Sequence, residues 1–270
     1  MRALLRRTGV TRAIFGLKRK TELYLADRKR HNELDRDPEM NISRERLRFL
    51  RNKYRGQRCF IMGNGPSLNK TDLTRLKTEY TFILNRGYLL LPKIGTQNKF
   101  LVSINRHVME QFGGEIGADS LRMPKLLSWH GRRHIPLTDN VIYLPAEGRV
   151  EFSFDPTLAV FEGATVTFVA MQLAYWMGFQ EVVLIGVDHN FITQGEAHKL
   201  VKSEGDDPNH FDPNYFGKGV NWQLPSLDQS EQAYHLAKNA FEAAGRRIVD
   251  ATVGGKLQVF PKVEYESLFK

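Results

Sequence analysis

From Arg58 onward the chain falls into short apolar runs that end in small or polar residues, as expected of strands covered on both faces. Cys59–Met62, Thr81–Leu84, Phe100–Ile104, Leu126–Trp129, Val141–Leu144, Val182–Val187 and Arg247–Val249 are each of strand length. Helical patterns lie between some of them. Thr165–Met177 is almost wholly apolar, as for a helix buried against a sheet, and Gly178 is placed to end it. Asp228–Ala244 is amphipathic, with Ala233, Leu236, Ala237, Ala240 and Phe241 on one stripe and Gly245 as its stop. Strands alternating with helices predict an α/β fold, a Rossmann-like, mostly parallel sheet with crossover helices, and ligands belong at the carboxyl ends of such strands. Gly205–Gly219, rich in Gly, Pro, Asp and Asn, reads as a loop or lid.

The first 56 residues differ from this pattern. They read as a basic helical arm, which divides the chain into an extension over 1–56 and a catalytic domain over 57–270. The net charge of +9 resolves along the same line. Residues 1–58 hold 18 Lys and Arg against 7 Asp and Glu, whereas the remainder holds 21 against 23. The body is therefore near neutral, and with no stacking cluster or recognised motif beside the charge, no nucleic-acid partner is expected. The arm suits a helix lying on an anionic membrane surface, and equally a solvated extension or an oligomer contact. Its longest apolar runs are too short for a secretory signal, and no run in the chain is long enough for a membrane span. Ordinary fractions of hydrophobic (41%) and charged (26%) residues exclude disordered and collagen-like classes. The single cysteine, Cys59, excludes an internal disulfide and points to a reducing compartment, so the expected location is cytoplasmic, or peripheral at the inner face of the membrane if the arm docks there.

Candidate chemistry collects at the strand ends. The first strand runs into Gly63, Asn64, Gly65, Pro66 and Ser67, where two glycines permit a tight turn and exposed amides suit a phosphate, although the segment is neither a Walker loop nor GxGxxG. The second and third strands end in Asn85-Arg86 and Asn105-Arg106. An amide suits a ribose hydroxyl or base edge and a guanidinium suits phosphate, while the plain alternative is a satisfied turn beside a surface arginine. Thr165 and Thr167 open the buried helix, where hydroxyls and free amides hold an anion or simply cap. Asp188 follows the next strand, placed to orient a sugar or a magnesium ion, or to anchor its own loop. Asp188, His189, His198 and His210 match no zinc spacing. Cys59 reads as a buried small hydrophobe, and Ser67 lacks the context of a hydrolase nucleophile.

The order GNGPSL, two strands each ending in Asn, then GATVTFVAMQLAYWMGFQEVVLIGVDHNF resembles the MptE-like domain family, which includes the motility accessory factor (Maf) proteins. NHFDPNYFGKG and AYHLAKNAFEAAGRRIVDATVGGKLQVFPKVEY extend the resemblance over about residues 57–269. That family is similar in layout to bacterial CMP-sialic-acid-dependent sialyltransferases. Some archaeal members are 6-hydroxymethyl-dihydropterin pyrophosphokinases using ATP and magnesium, and the Maf proteins are linked to transfer of sialic-acid-like sugars to flagellin. The resemblance implies roles for Asn64 and the Gly63–Ser67 loop with nucleotide phosphate and ribose, for Asn85 and Asn105 with nucleotide and donor sugar, for Thr165 with base or phosphate, and for His210 as general base. An imidazole takes up a proton near neutral pH, which suits that last role. One departure concerns the tyrosines that support the departing phosphate in the sialyltransferases. No Tyr stands between Asp188 and Tyr215, which leaves Tyr215, Arg86 or Arg106 for that task.

The leading expectation is a glycosyltransferase that passes a CMP-linked, sialic-acid-like sugar to a glycan or protein acceptor. No tightly bound cofactor is implied, the nucleotide sugar being substrate. The alternatives are a diphosphate transferase using ATP, with magnesium held partly by Asp188, and a noncatalytic nucleotide-sugar-binding or scaffold protein.

Overall fold

The computed structural model describes residues 32–192 and 195–270. The chain divides into two units, residues 1–41 and 42–270. In the first, the described residues 32–36 are helical and Asp37 caps the next helix, its carboxylate accepting from the Met40 amide at 3.0 Å. The helix expected over the first 31 residues lies outside the described residues.

The larger unit is built on a seven-stranded sheet, with β1 Arg58–Met62, β2 Thr81–Leu84, β3 Lys99–Ser103, β4 Lys125–Ser128, β5 Val141–Leu144, β8 Glu181–Ile185 and β11 Arg247–Asp250. Two short pairs complete the strands: β6 Ala146–Glu147 with β7 Val160–Phe161, and β9 Leu200–Lys202 with β10 Asn221–Gln223. The spatial order of the large sheet is β11-β8-β1-β2-β3-β4-β5, and every neighbouring pair is parallel. The chain thus starts in the interior of the sheet, runs outward to β5, and returns to the other side of β1. Order reverses between β1 and β8, and such a reversal opens a crevice at the carboxyl ends of the two strands.

The long helices are α1 Pro38–Leu50, α2 Arg106–Gly117, α3 Val166–Met177 and α4 Leu227–Ala243. Helix α3 is buried almost all round, as its composition demands. Its one strongly polar side chain, Gln172, is fully satisfied: the carbonyl accepts from the Ser153 and Phe161 amides and the NH2 donates to the Phe161 and Phe168 carbonyls. Gly178 closes the helix at φ 90°. Within the second unit, Leu47 and Leu50 of α1 join the core, and Ser43 Oγ accepts from the Tyr143 amide of edge strand β5. Residues 42–56, read from sequence as part of the extension, therefore belong to the compact unit.

Strands β3 and β4 each begin one residue before the apolar run, on a lysine. Both lysines are buried. Lys99 Nζ donates to the carbonyls of Leu76, Lys77, Glu79 and Gln97, and burial pushes it down to about 8. Lys125 Nζ donates to Gly117 and Ala118, its proton affinity likewise lowered by burial. Each ammonium gathers turn carbonyls, some of which also accept from another donor, on the sheet edge remote from the crevice, which is why a charged residue is tolerated there.

Candidate active site

At the reversal point the β1 and β8 loops touch. The Gly63 amide donates to Ile185 O at 2.8 Å and the Gly65 amide to Gly186 O at 2.9 Å. A Cβ on Gly63 would lie 2.2 Å from Gly186 O, and one on Gly65 would lie 1.7 Å from Asp188 Oδ2. These glycines are required by the neighbouring loop. Asp188 in turn accepts from the Ser67 amide (3.1 Å) and Ser67 Oγ (2.7 Å), so its carboxylate fixes the glycine loop.

Above these loops lies a cleft with two connected chambers. The inner one, about 170 Å³, is lined by Gly63, Asn64, Gly65, Thr165, Thr167 and Asp188 among others. The outer one, about 610 Å³, includes Asn105, Glu162, His198, Trp222 and Gln229. Asn85, Ala164, Thr165 and His210 border both. Six described non-glycine residues have positive φ, and four of them, Asn85, Ala164, His189 and His198, line this cleft. Backbone strain of this kind persists where surrounding structure holds it, commonly at functional sites. Asn85 is held by Ser103 Oγ, which donates to its Oδ1 at 3.0 Å. Asn105 caps α2, accepting from the His107 and Val108 amides. Thr165 caps α3, its Oγ accepting from the Thr167 amide at 3.3 Å. Burial raises the proton affinity of Tyr234, whose hydroxyl lies 3.5 Å from Thr165 Oγ.

The segment between β9 and β10 forms one wall. It is fastened to the body. The Phe211 amide donates to Asn64 O, Asn69 Nδ2 donates to Phe211 O, and Gln111 bonds both the amide and the carbonyl of Asn221. Within it, His210 Nδ1 lies 2.6 Å from Asp207 Oδ2. Asp207 is buried and also accepts from the Asn209 and Phe216 amides, so it is fixed independently of the histidine. The imidazole stacks on Tyr215, with centroids 4.2 Å apart and planes 7° apart. A neutral ring that donates Nδ1–H to Asp207 presents Nε2 as an acceptor, on a ring bordering both chambers, and no described residue bonds that nitrogen.

The residues expected at the site separate into two groups. Gly63, Asn64, Gly65, Asn85, Asn105, Thr165, Thr167, Asp188 and His210 all line the cleft. Pro66 and Ser67 stand behind the glycine loop, opening a short 3-10 turn. Arg86, Arg106 and Tyr215 do not reach the cleft, which corrects the expectation that they meet a phosphate. The Arg86 guanidinium donates to the Asn214 and Tyr215 carbonyls and lies 3.9 Å from the Phe112 ring centroid. Arg106 pairs with Glu110 on the exposed face of α2. Tyr215 is fully buried, its hydroxyl accepts from the Arg86 amide, and burial raises its proton affinity. Asp207 was not singled out from sequence. Its signal was the run Asp207-Pro208-Asn209-His210, which places a carboxylate three residues before a histidine in a turn.

The four candidate metal ligands are each engaged elsewhere: Asp188 by Ser67, His189 by Glu231 at 2.8 Å, His198 by Gln229 at 2.8 Å and His210 by Asp207. No cluster of three potential ligands occurs among the described residues. None of the described residues lining the two chambers is Lys or Arg.

Fold and cleft together define a doubly wound parallel α/β protein of Rossmann-like layout, with its ligand crevice where strand order reverses. A family profile described as 6-hydroxymethylpterin diphosphokinase MptE-like matches residues 37–194, more than half of the chain, and the chain belongs to that family. Among solved structures, a MAf glycosyltransferase from Magnetospirillum magneticum AMB-1 matches at 19% identity and a TM-score of 0.49, over 85% of this chain and 38% of that one. The sialyltransferase CstII from Campylobacter jejuni, in complex with a substrate analogue, cytidine-5'-monophosphate, matches at 14% identity and a TM-score of 0.43, over 77% of this chain and 85% of that one. No curated protein gives a significant sequence match.

Proposed function

We propose that this protein is a glycosyltransferase that uses a nucleoside-monophosphate-activated sugar, CMP-linked and sialic-acid-like, with His210 as the base. The observation that carries the reading is the buried Asp207–His210 pair bordering both chambers of a cleft whose described lining contains no Lys or Arg. In this reaction the acceptor hydroxyl donates its proton to His210 Nε2 as its oxygen bonds to the anomeric carbon. The bond from that carbon to the phosphate oxygen breaks, and the phosphate leaves with the electron pair. Asp207 stabilises the imidazolium that results. General-base assistance of this kind contributes about 10²–10⁴ in rate.

Charge separates the two transferase readings. The triphosphate of ATP carries several negative charges, which enzymes meet with lysine, arginine and metal. A single phosphodiester is served by neutral groups, and this cleft offers the Thr165 cap at the start of α3 together with the Asn64, Asn85 and Asn105 amides. The diphosphokinase reading draws on the family description and is the second candidate.

Thermal shift tests both. A ligand that binds only the folded state raises the melting temperature. CMP without metal is expected to raise it, and ATP to leave it unchanged with or without magnesium. A response confined to ATP with magnesium would favour diphosphate transfer, and no response to any nucleotide at saturation would leave the scaffold reading.

A further inference from the structure

We propose that the surface formed by α1 and the Phe154–Leu158 loop docks the protein on an anionic lipid bilayer. Three large apolar side chains stand in water here: Phe49 is 82% exposed, Phe154 60% and Leu158 64%. Singly such residues need no explanation; together, among cations, they do. Arg44 Nε of α1 donates to Thr157 O at 2.9 Å, which sets the loop beside the helix. Phe154 packs against Tyr175 at the end of α3, and the Arg51 guanidinium lies over the neighbouring Trp176, 5.0 Å from its centroid.

The charge is one-sided. Residues 42–58 contain seven Lys and Arg and one acid, Glu45. Arg48 of α1, next to Phe49, and Lys53 and Arg55 of the turn after it are exposed. Of the acids near Phe154, Glu151 pairs with Arg149, and Asp155 is turned back into its own loop by the Thr157 amide and hydroxyl while keeping its charge. Apolar groups that enter the acyl boundary, ringed by cations that meet anionic headgroups, are the two components of interfacial binding. A protein partner of ordinary composition offers no comparable sheet of negative charge. Residues 1–41 add eleven Lys and Arg against six acids.

The patch lies at the opposite end of the sheet from the cleft. The turn after α1 meets the C-terminal end of α3, with the Asn52 amide donating to Trp176 O and the Tyr54 amide to Met177 O, whereas the cleft takes the N-terminal end of α3. Docking through this face leaves the cleft open to the aqueous phase.

The test uses the full-length chain in vesicle sedimentation, with phosphatidylcholine alone and with an equimolar phosphatidylcholine–phosphatidylglycerol mixture. The parent is expected to bind only the anionic vesicles. The variant Phe49→Ser, Phe154→Ser, Leu158→Ser should partition on the order of tenfold less while keeping the parent melting temperature. Arg48→Glu, Lys53→Glu, Arg55→Glu should remove the preference for anionic vesicles. If the serine variant binds as the parent does, the surface is not the docking face. A parent that ignores vesicles but sizes as a dimer, and a serine variant that sizes as a monomer, would assign the face to a second copy instead and overturn the proposal.

Discussion

At the scale of single residues, the site rests on how a few side chains are occupied. His210 was singled out by the family resemblance and by the proton chemistry of an imidazole, and Asp207 was not singled out, although it stands three residues earlier in the same turn. The structure separates them: Asp207 is buried and carries three hydrogen bonds, one to the imidazole. His210→Ala should retain the CMP-induced thermal shift and lose about 10²–10⁴ in turnover, and Asp207→Asn should lose turnover less severely at similar nucleotide affinity. An active His210→Ala enzyme would remove the base from the mechanism. Gly65 makes a steric prediction. A methyl there meets Asp188 Oδ2 at 1.7 Å, so Gly65→Ala should displace Asp188 from Ser67, lower stability by about 1–3 kcal/mol in a denaturant titration, and weaken the response to CMP. Arg86 shows the converse limit of sequence reading, since a strand-end guanidinium suited to phosphate is consumed by two backbone carbonyls.

At the scale of elements, apolar runs located every strand of the large sheet, because a strand buried on both faces has few polar positions to hide its outline. Thr81–Leu84 and Val141–Leu144 fall on the observed bounds, and Glu181–Ile185 stops two residues short of the expected Val187 because Gly186 turns left-handed there. The strand starts at Lys99 and Lys125 escaped the pattern, since a buried ammonium is affordable only with carbonyls delivered from other segments. The short pairs β6–β7 and β9–β10 also escaped it, being too brief for any period to show. Lys99 carries a pH prediction. The folded state releases its proton near pH 8, whereas an unfolded lysine holds it to about 10.4, so in that window the unfolded state binds more protons and stability from this group rises with pH. Lys99→Met should abolish that rise and, by removing the ammonium that bonds four carbonyls, two of which keep another donor, lower stability at neutral pH by about 1–3 kcal/mol in urea unfolding.

At the scale of the whole molecule, the cleft is assembled from distant parts of the chain: the loops after β1, β2, β3 and β8, the start of α3, and the segment between β9 and β10. The last of these was expected as a loop or lid, and the structure shows it pinned to Asn64, Asn69 and Arg86. Bound CMP should therefore slow amide exchange in residues 63–68 and 207–216 together; protection of only one set would mean that the two walls do not share a ligand. The sequence by itself determined the α/β class, the strand-end placement of Gly63, Asn64, Asn85, Asn105 and Asp188, and the division between a basic N-terminal region and a near-neutral body, because these depend on local periodicity and composition. Only the tertiary structure decided that Asp207 serves His210, that Asp188 holds Ser67, and that Arg86 and Tyr215 brace the wall. Asp207 and His210 stand three residues apart, and the burial of their turn pairs them; the other outcomes turn on which groups meet after the chain has crossed the sheet, and hydrogen-bond partners more than a hundred residues apart leave no periodic mark on the sequence.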